Sequence, residues 1–172
     1  MQRYRLGFAV ALVVFILDQL VKWLVTQRLG IDQIGDQLML LPVFNFTYTE
    51  NNGISLGLLN ATNPLGRWML VGLTTAIAVG VAVWIGRERN RIDQIALGMV
   101  LGGALGNILD RVRFGYVVDF ADLHFGDFRP FLVFNVGDAA ISIAVAILLL
   151  RAFVTRKDHQ KGPGPEETIE HA

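Results

Sequence analysis

The sequence predicts an α-helical membrane protein with four transmembrane helices and a small β-rich element at one membrane surface. Three observations carry that expectation. Of 172 residues, 53% are hydrophobic and only 17% charged, with a mean hydropathy of +0.47, whereas a soluble domain carries about 25% charged residues. The apolar residues are gathered into long runs instead of being spread as a soluble core would spread them. The few polar residues inside those runs collect toward one end of the predicted bundle.

A bilayer core needs about 20 mostly apolar residues per helix, and four segments approach that length. The first, 6–25, is broken only by Asp18, Gln19 and Lys22; the second, 68–86, has no charge. The third, 94–111, is uncharged until it closes on Asp110 and Arg111, and the fourth, 131–150, is interrupted only by Asn135 and Asp138. Arg3 and Arg5 before the first run imitate a secretory signal. No small-x-small cleavage site follows and three more spans do, so an uncleaved first helix is expected. Residues 1–155 read as one membrane domain without internal repeats, and 156–172, with Gly-Pro-Gly-Pro-Glu-Glu, as a disordered tail.

Orientation follows from the basic residues. With the N-terminus inside, Arg3, Arg5, Arg87, Arg89, Arg91, Arg151, Arg156, Lys157 and Lys161 are inner, and Arg28, Arg67, Arg111, Arg113 and Arg129 are outer. Nine against five favours both termini in the cytoplasm. The first outer segment, about 26–66, is too long for a simple connector. Residues 42–49 alternate and are rich in aromatic and β-branched side chains, which predicts a strand. Glu50-Asn-Asn-Gly supplies turn chemistry, and 54–59 reads as a second strand, within an outer β-rich loop of about 38–60. The second outer segment, 112–130, reads as interfacial, with Asp122 and Asp127 as solvated loop charges.

Composition also excludes. A formal net charge of +0 argues against a nucleic-acid partner held by bulk positive charge. With no cysteine, disulfides, thiolate metal sites and a cysteine nucleophile are absent. Of three His, His159 and His171 lie in the tail, so no multi-His metal centre is expected.

Ionisable groups at membrane depth are costly and mark function by default. Span one runs outward, so Asp18 and Lys22 lie in its outer half, on one face by their i,i+4 spacing. Span three places Asn107, Asp110 and Arg111 at its outer end, and span four begins there with Asn135 and Asp138. Asn51 and Gly53 lie in the first outer loop, and Asp119 follows span three. Plain structural readings exist for most. Asp18 and Lys22 read as an ion pair that lets the helix insert, Asp110-Arg111 as an interfacial anchor, Asn107 as an interhelical hydrogen bond, and Gly98, Gly102 and Gly106 as a close-packing stripe. Asp138 resists such a reading, because no Lys or Arg follows on its own helix until Arg151.

A second carboxylate nearby would make sense of Asp138. Two carboxylates sharing a site cannot both ionise cheaply, so they hold one proton between them. The ionised member can take a proton from water while the protonated one donates to a carbonyl. A Ser55–Lys22 nucleophile is weaker, since Lys22 has Asp18 beside it, and the only outer His is His124.

These residues form ordered blocks: Asp18-Gln-x-x-Lys22, Asn51-Asn-Gly53, Gly102-Gly-x-x-Gly-Asn107-x-x-Asp110-Arg111, Val118-Asp119-Phe120 and Phe134-Asn135-Val-Gly-Asp138. In that order, on four spans, the chain resembles the lipoprotein signal peptidases (signal peptidase II), bacterial aspartyl proteases of the inner membrane, over about residues 17–143. The resemblance implies that Asp119 and Asp138 are the catalytic dyad. It implies that Asn51, Gly53, Asn107, Arg111 and Asn135 surround the dyad and help hold substrate, and that Asp18, Lys22 and Asp110 support it. It further implies four membrane helices with an extracytoplasmic β-cradle and a short amphipathic helix, and a site on the periplasmic side. The implied reaction is cleavage before the diacylglyceryl-modified cysteine of a prolipoprotein delivered from the membrane lipid. The implied inhibitor is globomycin; no metal or organic cofactor is implied, and a monomer is expected. Two positions depart from the family pattern. Gly137 stands where Ala is usual, from which looser packing is expected, and Ile54-Ser55-Leu56 stand where a small residue and Phe usually follow the loop glycine. The rival reading is a small transporter or channel relaying ions or protons through carboxylates, although such sites lie near the midplane and often with inverted repeats; a non-catalytic scaffold would leave Asp138 unexplained.

Overall fold

The computed structural model describes residues 5–53 and 64–160, with side chains as far as 154. Four helices are long and apolar enough to cross a membrane. Helix α1 (Arg5–Trp23) continues through a five-residue π-helical turn, Leu24–Arg28; α2 covers Pro64–Arg87, α3 Arg91–Arg113 and α4 Val136–Gln160.

Helix α1 is patterned for lipid, with its polar side inward. Gly7, Ala11, Asp18 and Lys22 are buried, whereas Leu12, Ile16 and Leu20 are exposed. Helix α3 is the central element. It packs against each of the other three helices, and half of its apolar window is buried against 22%, 22% and 17% for α1, α2 and α4. Its glycines permit that approach. A Cβ on Gly98 or Gly102 would strike the carbonyl oxygens of Gly7 and Ala11 on α1, and one on Gly103 would strike that of Gly137 on α4. The expected looser packing at Gly137 is therefore corrected: the missing methyl groups let two backbones meet there.

The helix ends differ from the sequence reading for local reasons. Pro64, whose missing N–H costs nothing in a first turn, opens α2 four residues earlier than residue 68. Asn90 caps α3, accepting from Ile92 N–H at 2.8 Å and Asp93 N–H at 3.4 Å. Helix α4 begins at Val136, not at residue 131, because the preceding residues are used as extended chain. Phe134 exchanges backbone hydrogen bonds with Ala121, at 2.8 and 3.1 Å.

An antiparallel sheet in the order β1-β2-β3 joins β1 (Gln37–Leu41), β2 (Phe44–Asn51) and β3 (Val117–Leu123). The strand expected at 42–49 is β2; that expected at 54–59 lies outside the described residues, as do Ile54, Ser55 and Leu56. Among the described residues β2 lies between β1 and β3. Strand β3 comes from the segment read as interfacial, and Val117–Asp122 is buried throughout, so no polar face showed in its sequence. From Phe46 to Thr49 β2 takes three steps while β3 takes two, from Ala121 to Asp119. This bulge sits beside Asp119, where such irregularities re-aim side chains. Gly115, at φ +98°, makes the turn that carries the chain from α3 into β3. No short amphipathic helix appears among the described residues.

Candidate active site

Two acids meet at one end of the bundle, on different elements. Asp119 projects from β3 and is 1% exposed. Its Oδ2 accepts from Asn51 Nδ2 at 3.0 Å and its Oδ1 from Asn135 Nδ2 at 2.6 Å. Asp138 stands in the first turn of α4. Its Oδ1 accepts from Asn107 Nδ2 at 2.8 Å and its Oδ2 from the Asn135 backbone N–H at 3.3 Å. Asn135, wholly buried, thus bonds to both carboxylates, and its amide also donates to Asn107 Oδ1 at 3.1 Å.

Each asparagine is itself oriented. The Asn51 Oδ1 accepts from the Gly53 N–H at 2.9 Å in an Asx turn, with Gly53 at φ +93°. That fixes the Asn51 amide nitrogen toward Asp119. Asn135 Oδ1 is occupied by the Asp138 N–H at 2.9 Å. Arg111 is buried beside these groups, with Nη1 3.5 Å from the Asn107 carbonyl and no hydrogen bond on Nε among the described residues.

Behind the acids lies a charged group more connected than the sequence suggested. Lys22 Nζ is 2.8 Å from Asp18 Oδ2, 2.7 Å from Asp110 Oδ2 and 3.3 Å from Asn107 Oδ1. Asp18 Oδ1 accepts from the Gly137 N–H at 2.9 Å, and Asp110 Oδ2 from the Val118 N–H at 3.2 Å. Asp110 is therefore a buried ion-pair partner and not an interfacial anchor. Gln19, which sequence reasoning passed over, donates to Asp110 Oδ1 at 3.0 Å and Asp18 Oδ2 at 3.2 Å. Its signals were an amide inside an apolar run and a place in the block Asp18-Gln-x-x-Lys22. On the face of β3 opposite Asp119, a cavity of about 440 Å³ is lined by Gln19, Lys22, Tyr48, Asp110, Tyr116 and Val118.

Asp122 is not a solvated loop charge. It is 2% exposed and accepts from Thr47 Oγ1 at 3.3 Å and Arg129 Nε at 3.2 Å. Asp127 is exposed, as expected.

The environment keeps a proton available. Burial, and then the nearby Asp138 carboxylate, push Asp119 up to about 7, against the pull of hydrogen bonds from Asn51 and Asn135 and the Lys22 charge. Two coupled acids, one able to be ionised while the other is protonated, can activate water and polarise a carbonyl without a covalent intermediate.

A four-helix membrane enzyme with one buried and one half-buried acid together at one end of the bundle is the class that this fold and site define. The chain matches the model of the family described as signal peptidase (SPase) II over residues 10–154. It is 53% identical to the lipoprotein signal peptidase of Sphingopyxis alaskensis over 150 residues, covering 87% of this chain and 86% of that one. To that of Rhizorhabdus wittichii it is 49% identical over 152 residues, covering 88% of each. A bacterial membrane enzyme solved by the in meso method at 2.3 Å superposes with a TM-score of 0.76 at 27% identity, covering 93% of this chain and 94% of that chain. The protein belongs to the signal peptidase II family, the lipoprotein signal peptidases: proteases of aspartic mechanism that cleave signal peptides from prolipoproteins. The transporter reading finds no support in these relatives.

Proposed function

We propose that Asp119 and Asp138 are the catalytic dyad of this peptidase and cleave the bond before a diacylglyceryl-modified cysteine. The observation that carries the assignment is the one asparagine, Asn135, bonded to both carboxylates. In the reaction the ionised acid takes a proton from water as the water oxygen attacks the scissile carbonyl carbon. The protonated acid gives its proton to the carbonyl oxygen, forming a gem-diol. Its collapse breaks the C–N bond while the dyad returns a proton to the leaving nitrogen, releasing the signal peptide as an acid and the lipidated cysteine as an amine.

Asn51, Asn107 and Asn135 hold the acids in place, and Gly53 holds Asn51. Arg111, with an unengaged Nε, is assigned to a substrate carbonyl. Asp18, Lys22 and Asp110 support the dyad from behind. The bias of basic residues supports both termini in the cytoplasm and a periplasmic site, in the inner membrane of a bacterium. Substrate arrives laterally, acyl chains in lipid, at a single domain of residues 1–155 acting as a monomer; globomycin competes for the site.

The test is signal-peptide release from a diacylglyceryl-modified prolipoprotein by the detergent-purified protein, with and without globomycin. Inhibitable release that disappears in Asp119→Asn and in Asp138→Asn is expected. Turnover near the parent rate in either variant overturns the assignment, and equal cleavage of the unlipidated precursor overturns the lipid requirement.

A further inference from the structure

The two proposed catalytic acids reach the site on separate elements, β3 and α4, so their separation depends on how those elements are tied together. One tie is Asn135. The second runs behind the acids through three buried charges. We propose that Lys22 is a positioning residue that sets the separation of Asp119 and Asp138, through a brace in which Asp18 and Asp110 each hold the backbone N–H just ahead of one of them. The proposal rests on the dyad assignment above.

The links are continuous. Asp18 Oδ1 takes the N–H of Gly137, which precedes Asp138, at 2.9 Å, and Asp110 Oδ2 takes the N–H of Val118, which precedes Asp119, at 3.2 Å. Lys22 Nζ joins the two acids at 2.8 and 2.7 Å. Hydrogen bonds to ionised acceptors are about twice as strong as neutral ones. The Gly137 N–H also belongs to the first turn of α4, where donors lack intrahelical partners and the helix dipole favours a carboxylate.

Two further observations separate positioning from stabilisation. Asp18, Lys22 and Asp110 are 0%, 5% and 1% exposed, and a buried ion network of this kind gains little net stability over apolar packing. Gly106 on α3 has the Asp18 carboxylate where its Cβ would stand, so the packing leaves the space that the brace needs. The charged groups around the dyad are Asp18 and Lys22 from α1, Asp110 and Arg111 from α3, and Glu50 on β2, paired in register with Val118. Helix α2 carries Arg67 and Arg87 near its ends; Arg67 Nη2 is bonded to the Val112 carbonyl at 2.5 Å.

The experiment perturbs the brace without changing charge. Gly106→Ala displaces Asp18, and Lys22→Arg lengthens the link while keeping the cation. Gly102→Ala disturbs the α1–α3 contact one turn away, where a Cβ would meet the Ala11 carbonyl, and serves as the packing control. Rates of prolipoprotein cleavage are measured against pH, with thermal unfolding alongside. Gly106→Ala and Lys22→Arg should lower kcat by about 10- to 100-fold with KM within about twofold. Their alkaline limb should move to lower pH, because carboxylates held farther apart give up the shared proton more easily. Gly102→Ala should lower Tm and leave the limb in place. The brace is overturned if both charge-neutral variants keep the parent limb and lose rate only as Tm falls. Should one of them fail to fold, the other still decides. Asp119→Asn in the same assay keeps the outcomes apart: an active Asp119→Asn removes the dyad reading, whereas an inactive one beside unmoved limbs removes the brace alone.

Discussion

Asn135 and Asp138 cap one another. The Asn135 Oδ1 accepts from the Asp138 N–H at 2.9 Å, and the Asp138 Oδ2 accepts from the Asn135 N–H at 3.3 Å. This is the reciprocal arrangement of a capping box, with Asn and Asp in the two roles. Its chemical consequence is orientation. With Oδ1 committed to the helix start, the Asn135 amide nitrogen is left to bridge Asp119 and Asn107, at 2.6 and 3.1 Å. The device that starts α4 therefore also ties one acid to the other.

Substitution at Asn135 should separate those two duties. Asn135→Ser keeps a hydroxyl that can cap α4 and loses the bridge, whereas Asn135→Ala loses both. Both should lose most of the turnover, while only Ala should lower stability by the cap's worth, about 1 kcal/mol. Peptide-release rates read beside thermal unfolding check this. A fully active Asn135→Ser would show the bridge to be dispensable.

The raised Asp119, at about 7, predicts loss of activity as pH rises through neutrality and the shared proton leaves. The stability sign follows by linkage. An acid raised from 3.8 to about 7 binds its proton more tightly in the folded state, so its contribution is fully present below about 4 and is lost as pH rises through about 7. Asp119→Asn should remove that dependence, gaining on the parent between pH 4 and 8 by an amount on the order of 2–4 kcal/mol. The variant also carries a constant penalty, since its amide offers one acceptor where Asn51 and Asn135 present two donors. The slope, measured by unfolding across pH, is thus the test, and parallel curves would contradict it.

Much of this architecture was readable from composition and spacing. The four spans are apolar runs of bilayer length, and the polar interruptions marked the end that holds the acids because nothing else explains their cost in lipid. Strand β3 escaped because its residues are buried on both sides, which erases the alternation that marks a half-buried strand. The start of α4 escaped because residues 131–134 are apolar yet lie outside the helix, with Phe134 bonded through its backbone to Ala121. The partnership of Lys22 with Asp110 was hidden for a different reason. An i,i+4 spacing on one helix proposes Asp18, whereas the second acid arrives from α3 only through the tight packing at Gly98, Gly102 and Gly106.

The Asp122–Arg129 pair should respond asymmetrically to mutation. Asp122 is 2% exposed and the Arg129 side chain 54%. The pair itself is screened by solvent on the arginine side and worth about 1 kcal/mol or less. Arg129→Ala, however, strands a buried carboxylate, which costs more, whereas Asp122→Asn frees an arginine that water can solvate and keeps an acceptor for Thr47 Oγ1. Arg129→Ala should therefore lower Tm more than Asp122→Asn does. Equal Tm values for the two variants would count against the burial argument.

Gly103 and Gly137 face each other where α3 meets α4, and the two positions should not be equally tolerant. A Cβ on Gly103 would land on the Gly137 carbonyl oxygen, a backbone atom that cannot swing aside. Overpacking of this kind costs about 1–3 kcal/mol, and the displaced strand of chain carries Asp138, so Gly103→Ala should lose turnover as well as stability. A Cβ on Gly137 would stand 3.0 Å from the Gly103 carbonyl oxygen and 3.1 Å from Asn135 Oδ1. Those contacts ask for a shift of a few tenths of an ångström where Gly103→Ala asks for more, so Gly137→Ala should cost less stability and less activity than Gly103→Ala. Gly80→Ala, with no atom within 4 Å of the added methyl, should leave both unchanged or gain up to about 1 kcal/mol from helix propensity. Thermal unfolding and cleavage rates of the three variants give the order directly. A Gly103→Ala protein as stable and active as Gly80→Ala would mean that α3 and α4 do not meet backbone to backbone.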